Sequence, residues 1–244
     1  MKILVCISQV PDTTTKITFT NPTTFNTTGV QFIINHSDEV ALTRALELKE
    51  AAGGTVTVII AGKADTEANI RKALAIGAYY AIRVNSDASD AYQVACHIAD
   101  AVKAGNYDIL FCGKESIDYN GASVSGMLAA CLDIPFVSLV TKLTVAGTQA
   151  TLEREIDGGK EIVSASLPVV ISAQKGLAEP RIPNMRGIMA SRTKPLAVVE
   201  PTACEPLTSI TAFELPAPKA ACRMIPAETA GDLIGLLHNE AKII

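Results

Sequence analysis

The sequence predicts an α/β chain: a mostly parallel sheet with helices on both faces, an added β-hairpin region and an extended C-terminal arm. Three observations predict it. Short Val/Ile-rich runs alternate with Ala-rich helical stretches from residue 2 to residue 132, the order that right-handed βαβ crossovers produce. After Pro135 the helical spacing stops and strand-like segments follow one another. Eight of the twelve prolines then fall between residues 180 and 226, a stretch expected to run over a surface rather than build a regular core.

The elements justify themselves in order. Residues 2–7 form a nearly continuous apolar run, as a strand buried on both faces does. Residues 16–34 are Thr-rich and β-branched, broken by Asn21-Pro22 and Gly29, and read as a hairpin or small excursion. Asn35-His36-Ser37-Asp38 supplies cap residues for a helix over 39–51, which Gly53-Gly54 stops. Strands at 55–61 and 79–84 and helices at 66–76 and 90–103 continue the alternation. A strand at 108–112 and a helix at 121–132 follow, the latter with Val124, Met127, Leu128 and Cys131 as its inner stripe. This is the order of a Rossmann-like sheet. Strands at 136–146, 149–156 and 161–173 come next, with Gly147 and Asp157-Gly158-Gly159 at turns. Residues 228–239 regain helical spacing. The chain divides into an α/β domain over 1–200, with a docking loop near 175–194, and an arm over 201–244 that packs on a partner.

Composition narrows the function. With 48% hydrophobic residues the chain is not disordered. A net charge of −4 argues against nucleic-acid binding. No apolar run reaches the length of a transmembrane segment, and MKILVCISQVPD lacks the pattern of a signal peptide. The six cysteines form no CxxC pair, which fits reduced thiols in a cytoplasmic protein. The cysteines and the three histidines show no metal-ligand spacing. Aromatic residues are 5% with no Trp, few for a chain that encloses a flavin ring by itself.

The candidate site centres on residues 107–135. A buried strand ends at Gly113, a polar loop runs from Lys114 to Asn120, and a helix rich in small residues follows. Open α/β sheets bind ligands beyond the carboxyl ends of their strands. The first N–H groups of a helix lack partners and carry partial positive charge, so an anion suits them. Gly121, Ala122 and Ser123 let the backbone approach a phosphate, and the hydroxyls of Ser123 and Ser125 add donors. A βα turn that binds nothing shares this signature. Other motifs fail: GxGxxG and GxxxxGK[ST] are absent, and Gly121-Ala-Ser123-Val-Ser125 misses the nucleophile elbow at its last position. Glu153, Glu155 and Asp157 share a strand face, and a solvated face explains them as well as acid/base work does; Arg154 points to the other face. Residues 175–194 carry Lys175, Arg181, Arg186, Arg192 and Lys194 against Glu179 alone. They also offer Ile182, Met185, Ile188 and Met189. A cationic segment with adaptable apolar side chains suits docking on an acidic partner.

Six stretches together resemble the β subunit of electron-transferring flavoproteins. They are Cys6-Ile7-Ser8-Gln9-Val10-Pro11-Asp12, Asn35 with Asp38-Glu39-Val40-Ala41, Ile70 through Ala78, Gly113-Lys114-Glu115-Ser116-Ile117-Asp118, Glu153 through Gly159, and Glu179-Pro180-Arg181-Ile182-Pro183-Asn184. The match covers nearly the whole chain. It implies a non-catalytic electron-carrier subunit in a heterodimer whose α subunit holds most of an FAD. The pair takes electrons from acyl-CoA-type dehydrogenases, as in fatty acid oxidation, and passes them to a membrane quinone oxidoreductase. The β subunit of ordinary members buries a structural AMP; electron-bifurcating members hold a second FAD in the same place. The resemblance sets the nucleotide pocket on Cys6, on Asn35, His36, Ser37 and Asp38, on Ala61, and on Asp118, Asn120, Gly121, Ala122, Ser123, Val124, Ser125 and Met127. It sets the docking anchor on Met185, with Arg186, Ile188 and Arg192 beside it.

The chain also departs from the family. Ser8 stands where a Lys is usual, Ser123-Val124-Ser125 replaces a Gln-Thr/Val-Gly run, and the basic cluster after the anchor thins to Arg192 and Lys194. Thr13 and Ser37 fall where an aromatic sometimes sits beside the flavin. The Glu-Arg-Glu-Ile-Asp-Gly-Gly run favours AMP over a second FAD. Two rivals from other classes are a stand-alone adenine-nucleotide-binding sensor and an ATP-cleaving α/β enzyme; for the latter, QVPDTTT is a poor pyrophosphate loop.

Overall fold

In the first strand, β1 (Lys2–Cys6), alternate residues turn to opposite sides of a sheet, and the rest of the chain is layered accordingly. The computed structural model describes residues 1–219 and 221–244. Ile3 and Val5 join one core, and Leu4 and Cys6 join another on the opposite face. Two short strands, β2 (Gln9–Pro11) and β5 (Phe32–Ile34), pair antiparallel and bracket a small hairpin of β3 (Phe19–Asn21) and β4 (Thr24–Phe25). This is the excursion expected over 16–34. The alternation follows as α1 (His36–Ala52), β6 (Thr55–Ala61), α2 (Glu67–Ile76), β7 (Tyr80–Val84), α3 (Ala91–Val102), β8 (Ile109–Gly113) and α4 (Val124–Leu132). Then come β9 (Phe136–Ala146), β10 (Gln149–Ile156), β11 (Gly159–Ser166), β12 (Val169–Ala173), α5 (Met185–Ser191) and β13 (Leu196–Val199).

The main sheet has nine strands in the order β11-β10-β9-β12-β8-β1-β6-β7-β13. All its pairings are parallel except β9 with β10 and β10 with β11. The α1 and α2 side chains Leu42, Leu46, Ile70 and Leu74 pack with Ile3, Val58 and Phe111 on one face. Ile98 and Val102 of α3 and Leu128 of α4 pack with Leu4, Leu110 and Val170 on the other. Leu42, Leu74 and Phe111 are fully buried, and burying a side chain of this size contributes about 1.5–3 kcal/mol.

The strand order places a switch point. From β1 the chain winds outward to β6 and β7, then returns through α3 to β8 on the other side of β1. The crevice between the carboxyl ends of β1 and β8 is therefore where an open sheet of this kind receives a ligand.

Several expectations are corrected. The first helix begins at His36, with Asn35 as its cap residue, so Ser37 and Asp38 lie inside it. The helix expected over 121–132 begins only at Val124; Gly121 instead pairs across the preceding loop with Ser116. Cys131 is exposed, and Ser125, Leu128 and Ala129 form the buried stripe of α4. The segment 161–173 is two strands, because Pro168 has no N–H to extend the antiparallel ladder; the Leu167–Pro168 peptide is cis. Past this break, β12 enters the sheet as a fully buried strand between β8 and β9.

The stretch expected to lack regular structure contains α5 and the edge strand β13, which pairs with β7 from Leu196–Ala81 to Val199–Val84. Prolines at 195 and 201 flank that strand, where an edge tolerates them. Residue 220 of the arm lies outside the described residues. The arm is fastened at few points. The Asp90 carboxylate accepts from the N–H groups of Leu207 (2.6 Å) and Thr208 (2.8 Å), and the Phe213 ring stacks on Phe19 with centroids 4.9 Å apart. Residues 228–239 form a 3₁₀ turn, a short helix (α6, Asp232–Gly235) and a π-helical turn rather than one helix, and Leu233 and Ile234 face solvent. Among the described residues, no helix is long and apolar enough to cross a membrane.

Candidate functional site

The switch point is closed by one carboxylate. Asp38, in the first turn of α1, is 4% exposed. Its Oδ2 accepts from the backbone N–H and the hydroxyl of Ser8, both at 2.7 Å, and its Oδ1 accepts from Gly113 N–H at 2.9 Å. A single side chain thus ties the residues just beyond β1 to the last residue of β8. Burial raises the Asp38 carboxyl to about 6, against the opposing pull of these donors. At neutral pH it is ionised and accepts all three bonds.

Asn35 performs the companion task. It is the cap residue of α1, yet its side chain makes no cap bond. Its amide donates instead to the Glu115 carbonyl at 2.8 Å, and its Oδ1 accepts from Ile117 N–H at 3.4 Å. Asn35 therefore holds the loop that follows β8. Within that loop Ser116 N–H donates to Gly121 O at 2.9 Å, and the Ser116 hydroxyl donates to Asp118. Asn120 takes a left-handed conformation, φ 50°, which Asn tolerates better than most residues.

Most of the predicted pocket residues converge here. Cys6 and Ala61 lie at the carboxyl ends of β1 and β6, and His36, Ser37 and Asp38 at the start of α1. Asp118, Asn120, Gly121, Ala122 and Ser123 lie on the exposed rim, and Val124, Ser125 and Met127 in the first turns of α4. The amides of that turn have no side-chain cap, because Ser123 makes no cap bond. Two features fit an anionic ligand: uncapped helix amides, and a rim of small exposed residues with nothing within 4 Å of a Cβ built on Gly121. His36 is exposed and its Nδ1 lies 3.8 Å from a Glu39 carboxylate oxygen. Cys6 is buried beside Cys112, whose thiol is pushed well above its ordinary range by its hydrogen bond to Cys6 and then by burial. Cys6 thus serves as packing beneath the site.

Three residues that shape the crevice are absent from the expected pocket: Ser8, Gly113 and Glu115. Their signals in the sequence are closeness to strand ends and a place in two of the six family-like stretches. An open hollow of about 870 Å³ lies elsewhere, lined by Arg223, Ile225, Leu236 and Glu240 among others. It consists of the C-terminal segment folded on itself and takes no part in this site.

The other candidates separate. Ser86 Oγ and His97 Nδ1 lie 2.8 Å apart and both residues are buried, so His97 packs inside α3. Glu153 is engaged by Lys160 at 2.6 Å and Glu155 by Gln174 at 2.7 Å, so the strand carboxylates make no acid/base pair.

The segment expected to dock is a braced helix. Asn184 caps α5 by accepting from Gly187 N–H at 2.8 Å. A Cβ on Gly187 would lie 2.3 Å from Ala75 O, which measures how closely α5 sits on α2. Arg71 donates to the carbonyls of Ser191 (3.0 Å) and Lys194 (2.8 Å). Lys194 Nζ donates to those of Leu74 and Ala78, each at 2.7 Å, at the end of α2. Arg181 grips Glu50 through two bonds. Two of the five cations predicted to attract a partner are therefore committed within the fold. Lys175, Arg186 and Arg192 remain exposed, beside Ile182 (91% exposed), Met185 (74%) and Met189 (68%), with Ile188 at 39%. Arg71→Met leaves two carbonyls without their donor and is expected to cost about 2 kcal/mol. Faster amide exchange in α5 than in α3 would register it; unchanged α5 protection would show that the brace is dispensable.

Comparison with known proteins places this architecture. A family model described as electron transfer flavoprotein domain matches residues 23–204. The chain is 37% identical over 231 residues to the electron transfer flavoprotein subunit beta of Bacillus subtilis (strain 168), covering 88% of this chain and 90% of that one. It is 39% identical over 248 residues to the subunit of the same name from Syntrophomonas wolfei subsp. wolfei, covering 100% and 98%. It is also 31% identical over 224 residues to the acryloyl-CoA reductase electron transfer subunit gamma of Anaerotignum propionicum, covering 88% and 84%.

Proposed function

This chain belongs to the electron transfer flavoprotein family, as a β subunit, and from that membership we propose that its switch-point crevice holds a structural AMP. It is an electron-carrier subunit rather than an enzyme. Its partner is the α subunit, which holds most of an FAD and supplies the redox chemistry. The pair carries electrons from acyl-CoA-type dehydrogenases to a membrane quinone oxidoreductase. Six free cysteines support a reducing, cytoplasmic compartment.

The observation that carries the nucleotide reading is the uncapped, small-residue rim at the start of α4, set beside a crevice that Asp38 and Asn35 hold in shape. The phosphate would take the free amides around Ser123 and Val124, with the Ser123 and Ser125 hydroxyls as further donors. A ligand bound only by the folded chain stabilises it by mass action. The deciding experiment is to co-express the two subunits, purify the pair, and identify the nucleotides released on denaturation. One FAD and one AMP per pair is expected. A second FAD in place of AMP would give the reading for electron-bifurcating members. FAD alone would contradict a nucleotide in this chain. A stable monomer with nucleotide bound would favour the stand-alone sensor instead.

Docking rests on α5. Met185→Ala is expected to lower the rate of reduction by a dehydrogenase at limiting concentration about tenfold, the equivalent of ~1.4 kcal/mol at an interface anchor. Stopped-flow traces of flavin reduction measure it. Unchanged transfer from every dehydrogenase tested would remove the docking role.

A further inference from the structure

Away from the crevice, three thiols and a phenol gather where α3, α4 and the arm meet. Cys96 lies on α3, Cys131 on α4 and Cys204 near the head of the arm. The sulfurs of Cys96 and Cys131 are 3.9 Å apart. The two helices approach closely because small residues, Ala95 and Ala99 on α3 and Ala129 on α4, occupy their shared core. Cys204 is held nearby by its own carbonyl, which accepts from Gln93 Nε2 at 2.7 Å. Tyr92 lies one turn before Cys96 on α3, and the Cys204 sulfur is directed to the Glu205 carbonyl at 3.9 Å. Cys96 is half-buried and Cys131 exposed, so a small oxidant reaches them, unlike the buried Cys6 and Cys112.

We propose that Cys96 and Cys131 form a redox modification site, a reversible disulfide made by hydrogen peroxide. The thiolate of one attacks one peroxide oxygen and the O–O bond breaks. This gives a sulfenic acid on that cysteine and a hydroxide that is protonated to water. The sulfur of the other cysteine then attacks the oxidised sulfur. The S–O bond breaks, and the departing hydroxide leaves as water with the proton of the second thiol. Two thiols lose two electrons and one peroxide becomes two waters. Closing the gap to a bond of about 2.05 Å asks for a rotation of each side chain, with the helices already in place. The bridge would fix α4, whose first turn borders the crevice, against α3.

The test treats the purified heterodimer with stoichiometric hydrogen peroxide and analyses this chain by intact mass and non-reducing peptide mapping. The expected result is loss of two hydrogens, a Cys96–Cys131 linked peptide, and full reversal by dithiothreitol. In Cys131→Ser and in Cys96→Ser the bridge should vanish; in Cys204→Ser, it should persist. An unchanged mass, or a bridge to Cys204 in place of Cys131, would overturn the assignment. Far-ultraviolet circular dichroism of each variant separates a missing thiol from a missing fold.

Discussion

Replacing Asp38 with alanine is expected to destabilise the chain by about 2 kcal/mol at pH 7, because the N–H groups of Ser8 and Gly113 lose their buried acceptor. The loss should grow as the solution is made acidic, and the sign follows from the direction in which Asp38 is shifted. Its folded-state carboxyl titrates at about 6, above its ordinary 3.8. Between those values the native chain holds a proton that the unfolded chain has released. The contribution of Asp38 is therefore fully present below pH 3.8, declines as pH rises toward 6, and stays level above it. A step of that size is worth about 3 kcal/mol. The gap between wild type and Asp38→Ala should accordingly widen from about 2 kcal/mol at pH 7 to about 5 near pH 4, with all other titrations cancelling in the difference. Urea unfolding of both proteins across this range gives the curve. A gap that narrows on acidification would mean that the three donated bonds outweigh burial and that Asp38 titrates below its ordinary value.

The second large effect belongs to Gly113→Ala. A Cβ at this position would lie 2.2 Å from Asp38 Oδ1, 2.7 Å from Ser37 Cβ and 2.9 Å from Asp38 N. One of these neighbours is backbone and another is the acceptor of the Gly113 N–H bond, so the contact cannot be relieved by turning a flexible side chain. The end of β8 must separate from α1. Overpacking together with the broken bond is expected to cost about 3 kcal/mol, read as a lower urea midpoint at unchanged slope. Gly121→Ala is the control. Nothing lies within 4 Å of its added Cβ, so stability should stay within about 0.5 kcal/mol. Its exposed rim position should nonetheless weaken retention of the nucleotide. Loss of stability in Gly121→Ala equal to that of Gly113→Ala would mean that the two glycines do not separate fold from binding.

The sheet was readable from the sequence because its signals are local. Val/Ile runs, Ala-rich helices and Gly stops lie within a few residues of what they determine, and the strand Thr55–Ala61 was located to the residue. The candidate site was placed by equally local signals: loops at strand ends are where open sheets of this kind take ligands. What escaped is long-range. Asn35 and Asp38 have the chemistry of cap residues, and nothing nearby shows that their side chains are spent on partners 80 and 75 positions away. The same holds for Lys194, which looks like a docking cation and instead donates to carbonyls at the end of α2. Cys131 was assigned inward because α4 is short and packed on one side only, which leaves Ser125, Leu128 and Ala129 as its whole buried stripe. The proline-rich stretch hid β13 because a four-residue edge strand gains its order from β7, not from its own propensity.

On the proposed function, the crevice between β1 and β8 takes an adenine nucleotide, with its phosphate on the first amides of α4. A high-resolution structure of the heterodimer purified with its native nucleotides tests this most directly. Density for an adenine nucleotide is expected in this subunit, its phosphate within hydrogen-bonding distance of the backbone between Gly121 and Val124. A pair in which that crevice holds water alone, with every nucleotide bound by the partner, would contradict it.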